Sequence, residues 1–192
     1  MLTRLYNWTL DKAAHPRALW ILAGLSFAES SFFPIPPDIL LIPMILAART
    51  RAWRIALVCS LASILGGILG YYIGYALFDA IGRPIVDFYH MQDQFRRFTR
   101  LYNEYGEWIV GIAGFTPIPY KVFTIASGVA GLPLSTFVIA SALSRTARFF
   151  LVAALLWKFG APIRNFIEKR LGLLTLIFFV LLFGSFLALK YL

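Results

Sequence analysis

Phe32-Phe33-Pro34-Ile35-Pro36-Pro37-Asp38 interrupts a long apolar run, residues 18–48, near its middle. Three prolines in four positions remove backbone donors and push the preceding residues out of helical geometry, so no helix continues through this stretch. Each arm that remains has roughly 11–15 residues, too few at about 1.5 Å per residue to cross about 30 Å of hydrocarbon. The charges agree. Arg4, Lys12 and Arg17 outnumber Asp11 before the run, and Arg49, Arg51 and Arg54 follow it with no acid. By the positive-inside bias both flanks belong on the cytoplasmic side. A segment with both ends on one side goes in and comes back, which predicts a re-entrant helical hairpin with its tip at membrane depth. Irregular backbone is tolerated there only when buried in protein or lining a wet cavity.

The rest of the chain suits the same solvent. Of its 192 residues 60% are hydrophobic and 14% charged, and mean hydropathy is +0.76. Soluble domains run at about 45–50% apolar and about 25% charged. Apolar stretches long enough to span recur at 18–48, 55–80, 108–132, 134–157 and 171–189; the first and third are broken by prolines. The first run lacks an A-x-A-type site, so no cleaved signal peptide is expected. The net charge of +9 lies in short basic segments beside apolar runs. That distribution fits phospholipid head groups and positive-inside topology and argues against nucleic acid. Cys59 is the lone cysteine, so no disulfide can form within one chain.

Residues 55–80 are expected to cross outward. Residues 81–107 carry nearly balanced charge, and Phe88, Met91, Phe95, Phe98, Tyr102 and Tyr105 recur at spacings of three and four. This predicts an amphipathic helix on the membrane surface or against the bundle. Residues 134–157 return to Lys158, Arg164, Lys169 and Arg170, and 171–189 cross outward again. The chain thus divides into a cytoplasmic segment 1–17, a transmembrane domain 18–160, and a connection with a final helix, 161–192.

Phe115-Thr116-Pro117-Ile118-Pro119-Tyr120-Lys121 repeats the F-x-P-I-P pattern of the first tip, ending on a base where the first ends on an acid. Pro34, Pro36 and Pro37 mark one re-entrant tip, and Pro117 and Pro119 the other. Each copy holds an odd number of crossings, so the two should be inverted, as in transporters whose broken segments meet at the midplane. Five ionisable residues fall inside apolar stretches: Glu29 and Asp38 in the first copy, Lys121, Arg145 and Arg148 in the second. Each costs about 2.5–3.5 kcal/mol at a helix centre unless paired or hydrated. Two readings follow. The five could form a purely structural salt-bridge cluster. Alternatively they line a polar cavity in which Glu29 and Asp38 relay protons and the bases hold a head group. Burial and a neighbouring arginine act on a carboxylate's proton affinity in opposite directions, which suits a group that changes protonation. Arg145 and Arg148 share a helix face and suit a phosphate.

Gly66, Gly67, Gly70 and Gly74 have helix-packing spacing, and Gly128 and Gly131 are expected at tight turns. His15 and His90 have no second histidine at metal-ligand spacing. No nucleotide-binding loop, metalloprotease signature or nucleophile elbow occurs. No enzyme activity, metal or cofactor is therefore expected.

Glu29 with Phe33-Pro34-Ile35-Pro36-Pro37-Asp38 and the glycines Gly67, Gly70 and Gly74 resembles the first half of a DedA-family protein. Phe115-x-Pro117 followed by Ala126-Ser127-Gly128-Val129-Ala130-Gly131-Leu132-Pro133 and Phe137 resembles the second half, the whole covering roughly residues 20–160, the VTT or SNARE-associated domain. Many members carry arginines where this chain has Gly114 and Tyr120; Lys121, Arg145 and Arg148 are expected to take over. Ser144-Arg145-Thr146-Ala147-Arg148 resembles the YqaA-like subgroup. The resemblance implies an all-α integral protein of a bacterial inner membrane, N-terminus cytoplasmic, with two facing re-entrant hairpins. It also implies flipping or scrambling of phospholipid or polyprenyl-phosphate lipids and proton-dependent membrane homeostasis, with Glu29 and Asp38 as the functional acids. The expected partners are lipids with phosphate-bearing head groups and, in the relay reading, protons; a homo-oligomer is compatible. The alternatives are a small-ion transporter or channel and a non-transporting scaffold for membrane-protein assembly.

Overall fold

The computed structural model describes residues 18–116, 119–160 and 162. The segment 1–17, Pro117 and Ile118 of the second tip, and the expected helix 171–189 lie outside the described residues. Helices α1 (Ala18–Ser31) and α2 (Asp38–Ala47) flank the first proline tip. A single tight turn, Arg49–Arg51, leads into α3 (Ala52–Leu77), which ends in a wide π turn at Phe78–Gly82. Then come α4 (Arg83–Phe88), α5 (Gln92–Phe115), the second tip and α6 (Tyr120–Val129). The last described helix is α7 (Leu134–Gly160). Among the described residues all regular structure is helical. Two helices among the described residues are long and apolar enough to cross a membrane, Arg49–Ala80 and Leu134–Gly160.

The second half differs from its sequence reading in how its helices are divided. The amphipathic segment and the first arm of the second hairpin are one continuous helix of 24 residues, α5. No proline falls between Gln92 and Phe115, and a single buried stripe serves both parts. Phe78 stacks on Phe95 at 4.5 Å, and Phe98 lies 5.3 Å from Tyr102. From Tyr102 the buried face continues through Gly106, Val110 and Ala113. Phe88, Met91, Phe98 and Tyr105, the other members of the apolar series apart from the half-buried Phe95, stay exposed.

Helix α3 is the axis on which both hairpins pack. A methyl group on Gly66 would collide with the Phe27 carbonyl of α1, and one on Gly74 with the Ile125 carbonyl of α6. The glycine stripe therefore serves one hairpin at each end, the close approach that small residues permit. Gly128 is not at a turn: it lies inside α6 against the Tyr71 carbonyl. The turn is made at Gly131, whose φ of +66° favours glycine.

Two apolar clusters result. One joins Leu22, Leu41 and Ile45 of the first hairpin to Ile55 and Cys59 of α3 and Phe149 and Leu156 of α7. The other joins Val110 and Tyr120 of the second hairpin to Tyr71 of α3 and Phe137 of α7. Between these clusters lies a buried polar layer of Glu29, Ser30, Ser63, Thr124, Ser141 and Arg145. Helices α3 and α7 pass through all three layers, so opposite ends of each hold different hairpins.

Gly66→Ala is expected to destabilise the protein by about 1–3 kcal/mol, because α1 must move away. Gly24→Ala, where a methyl meets open space, should be neutral or stabilising by up to about 1 kcal/mol from helix propensity. Thermal unfolding in detergent measures both; equal effects would disprove the close-packing role.

Candidate functional site

The polar layer is organised around one arginine. Arg145, on α7, is 1% exposed, and its Nη2 donates to Glu29 Oε2 at 3.0 Å. Its Nε donates to Ser63 Oγ at 2.6 Å. Ser63 Oγ lies 2.7 Å from Ser30 Oγ, which also reaches Glu29 Oε2 at 3.2 Å. The guanidinium lies between the Tyr120 and Phe149 rings, 4.7 Å from each centroid. Those rings belong to different apolar clusters, so Arg145 joins the two halves by cation–π contact as well as by charge. The Tyr120 hydroxyl donates to Ser141, which fixes the ring.

One turn further along α7, Arg148 Nη2 donates to Asp38 Oδ2 at 2.7 Å. Its Nη1 donates to the Thr116 carbonyl of the second tip at 3.1 Å. This pair is more open: Arg148 and Asp38 are 18% and 22% exposed, against 1% and 10% for Arg145 and Glu29. Lys121, on α6, donates to the Phe33 carbonyl of the first tip at 3.2 Å. Thr124 Oγ1 donates to the Ser30 carbonyl at 3.0 Å. Two side chains of the second half thus bind backbone of the first, and Arg148 binds the tip of its own half, where broken helices leave carbonyls without helical partners.

Both acids of the first copy meet both arginines of α7. Lys121 has no carboxylate partner among the described residues. Pro37 precedes α2 and Pro119 precedes α6, each at the helix start that proline suits; Pro34 and Pro36 form the first tip, and Pro117 lies outside the described residues. Sequence reading missed Ser63 and Tyr120 as members of the site. A signal for Ser63 existed, since Ser60 and Ser63 continue the spacing of the glycine stripe on α3. Tyr120 could not be found by pattern, because only the fold puts an aromatic face under Arg145. Gly114 has a reason too: a side chain there would collide with Ser144.

Residues 35–158 match the VTT domain. The chain belongs to the VTT domain family. That family is membrane-associated and of the DedA type. The matched stretch holds Asp38, Lys121, Arg145 and Arg148, while Glu29 precedes it. An uncharacterized protein of Haemophilus influenzae is 40% identical over 168 residues, covering 85% of this chain and 87% of the relative. A relative from Histophilus somni shows the same identity and coverage. A protein of Methanocaldococcus jannaschii is 27% identical over 129 residues, covering 67% of this chain and 77% of its own. No solved structure matches the chain. In this VTT domain the two ion pairs differ in solvent access, and that difference has measurable consequences.

Glu29→Gln leaves a buried guanidinium uncompensated and is expected to cost about 3–5 kcal/mol. Combining it with Arg145→Met should return part of that loss, and Asp38→Asn alone should cost less. Unfolding of the purified variants in detergent tests the order; a greater loss in Asp38→Asn than in Glu29→Gln would reverse the assignment of the sealed pair.

Proposed function

We propose that this VTT domain protein is integral to a bacterial inner membrane and flips or scrambles a phospholipid or polyprenyl-phosphate lipid in membrane homeostasis. It belongs in the YqaA-like branch, with its N-terminus cytoplasmic and its two hairpin-plus-helix units as inverted repeats. The observation that carries the reading is the partly open Asp38–Arg148 pair, set where two proline-broken segments meet, with Lys121 of the second bound to the tip of the first.

Three facts support it. Leu57, Leu61, Leu65 and Leu69 on α3, and Leu143, Leu151 and Leu155 on α7, are exposed along helices of spanning length. Water is a poor solvent for such a surface and hydrocarbon a good one. The five charged residues comprise two acids and three bases, so the cluster carries excess positive charge that an anion would offset. Finally, guanidinium groups bind phosphate oxygens in a fork, and Arg148 is the accessible one.

In this reading the head group replaces Asp38 on Arg148 while Lys121 supplies the second cation. A proton taken up by Asp38 releases Arg148, which couples head-group capture to proton entry. Glu29 and Arg145 hold the two halves in register and stay paired throughout. No covalent step is involved, so the protein acts as a carrier and not as an enzyme.

Translocation of a labelled phospholipid in proteoliposomes, with and without a pH gradient, tests the reading. Wild-type movement should respond to the gradient, Asp38→Asn should lose that response, and Arg148→Gln should slow movement roughly tenfold or more. Full gradient-sensitive transport by Asp38→Asn would sink the role of that acid. Flux of inorganic anions without lipid movement would favour a small-ion carrier, and no flux of either kind would favour a scaffold.

A further inference from the structure

A groove of about 720 Å³ runs between α5 and α7, within the range of about 300–1,000 Å³ usual for small-molecule sites. Trp108, Ile112 and Phe115 form one wall, Ile139 and Leu143 the other, and all five are exposed. Both walls follow helical spacing. Along α5 the lining advances from Glu107 to Phe115, and along α7 from Thr136 to Ser144. At about 1.5 Å per residue each wall is roughly 12 Å long, close to the half-thickness of a hydrocarbon layer of about 30 Å.

The ends differ from the middle. Glu107 marks one end, and Thr116 with Ser144 marks the other. At that inner end α5 and α7 touch, because Gly114 abuts Ser144. One turn beyond Ser144 on the same face stands Arg148, whose Nη1 donates to the Thr116 carbonyl. An apolar gutter that closes on hydroxyls and a guanidinium matches the polarity of an anionic amphiphile.

We propose that this groove seats a hydrocarbon chain of the membrane lipid whose phosphate-bearing head group reaches Arg148. The lipid then enters sideways from the bilayer, between α5 and α7, and its tail never leaves apolar surroundings while the head group crosses. This inference rests on the transport reading above, and its test is arranged to fail separately from it.

Gly111 lies in the groove, and a methyl group added there meets no atom within 4 Å. Leucine at this position fills the gutter without displacing backbone. Gly24 on α1 has the same freedom away from the groove, so Gly24→Leu is the matched control. The full chain is placed in phosphatidylethanolamine–phosphatidylglycerol vesicles with a phospholipid carrying a photoactivatable diazirine in its acyl chain. Adducts are mapped by mass spectrometry, and translocation of a labelled phospholipid is followed in parallel. Adducts should concentrate on Ile112, Ile139 and Leu143 relative to Leu57 and Leu61, and fall roughly tenfold in Gly111→Leu but not in Gly24→Leu. Translocation should slow in the same variant only. Uniform labelling untouched by Gly111→Leu overturns the proposal. So does an unlabelled groove in the wild type, the result if a second copy or residues 171–189 cover it. Groove-selective labelling without lipid movement keeps the groove and rejects transport; unimpaired movement by Gly111→Leu keeps transport and rejects the groove.

Discussion

A guanidinium held between two aromatic rings and shielded from solvent must be neutralised where it sits. Arg145 meets that requirement because Glu29 arrives from the other half of the chain. Desolvating two charges costs several kcal/mol per ion, and their attraction offsets it only when the remaining donors and acceptors are also used. Ser63 takes up Arg145 Nε, and Ser30 gives Glu29 Oε2 a second bond. The pair adds little net stability compared with an apolar filling. It does fix which residues of α1, α3 and α7 stand opposite one another, since any slip would strand a charge. The two apolar clusters on either side are placed by the same register.

The broken helices depend on that register as well. Each tip exposes carbonyls that no helix satisfies, and unsatisfied backbone shielded from water costs several kcal/mol per group. Here the Phe33 carbonyl accepts from Lys121, the Thr116 carbonyl from Arg148 and the Ser30 carbonyl from Thr124. Arg148 thus does two things at once, capping backbone and balancing the charge of Asp38. Glycines make this reach possible: with Gly66 and Gly74 against backbone carbonyls of α1 and α6, α3 is thin enough for side chains of one half to touch the other.

Proline, charge and apolar length made the main outline readable from the sequence. The prolines of both F-x-P-I-P stretches mark the breaks, and the runs at 55–80 and 134–157 correspond to the helices of spanning length among the described residues. Opposite charge on the two copies also signalled that acids would meet bases, because isolated charges at that depth are too costly. What stayed hidden was partner choice. Nothing in the spacing said that Glu29 takes Arg145 and Asp38 takes Arg148, or that Lys121 takes a carbonyl. That depends on how far α3 lets the hairpins approach. The continuity of α5 was hidden for a different reason: polarity changes near Glu107 while the buried stripe does not, and composition shifts are more visible than a continuous face. Gly128 was misread because a glycine near a helix end suits a turn and a close contact equally well.

Exchange of a bound group at such a site demands a pair that can come apart without leaving a charge stranded. The sealed pair is unsuited to that, since removing Glu29 would leave Arg145 between rings with only neutral hydroxyl company. The outer pair is suited. Arg148 can keep its Nη1 on the Thr116 carbonyl while Nη2 passes from a carboxylate to a phosphate, so the tip stays satisfied during the exchange. Its partial exposure lowers the desolvation cost of the intermediate state, in which neither anion is fully engaged. The same Thr116 also lines the inner end of the α5–α7 groove, so the point where charge can be exchanged and the point where an apolar chain can end coincide. An amphiphile needs both within one head-group length, and in the described structure they are joined by a single hydrogen bond.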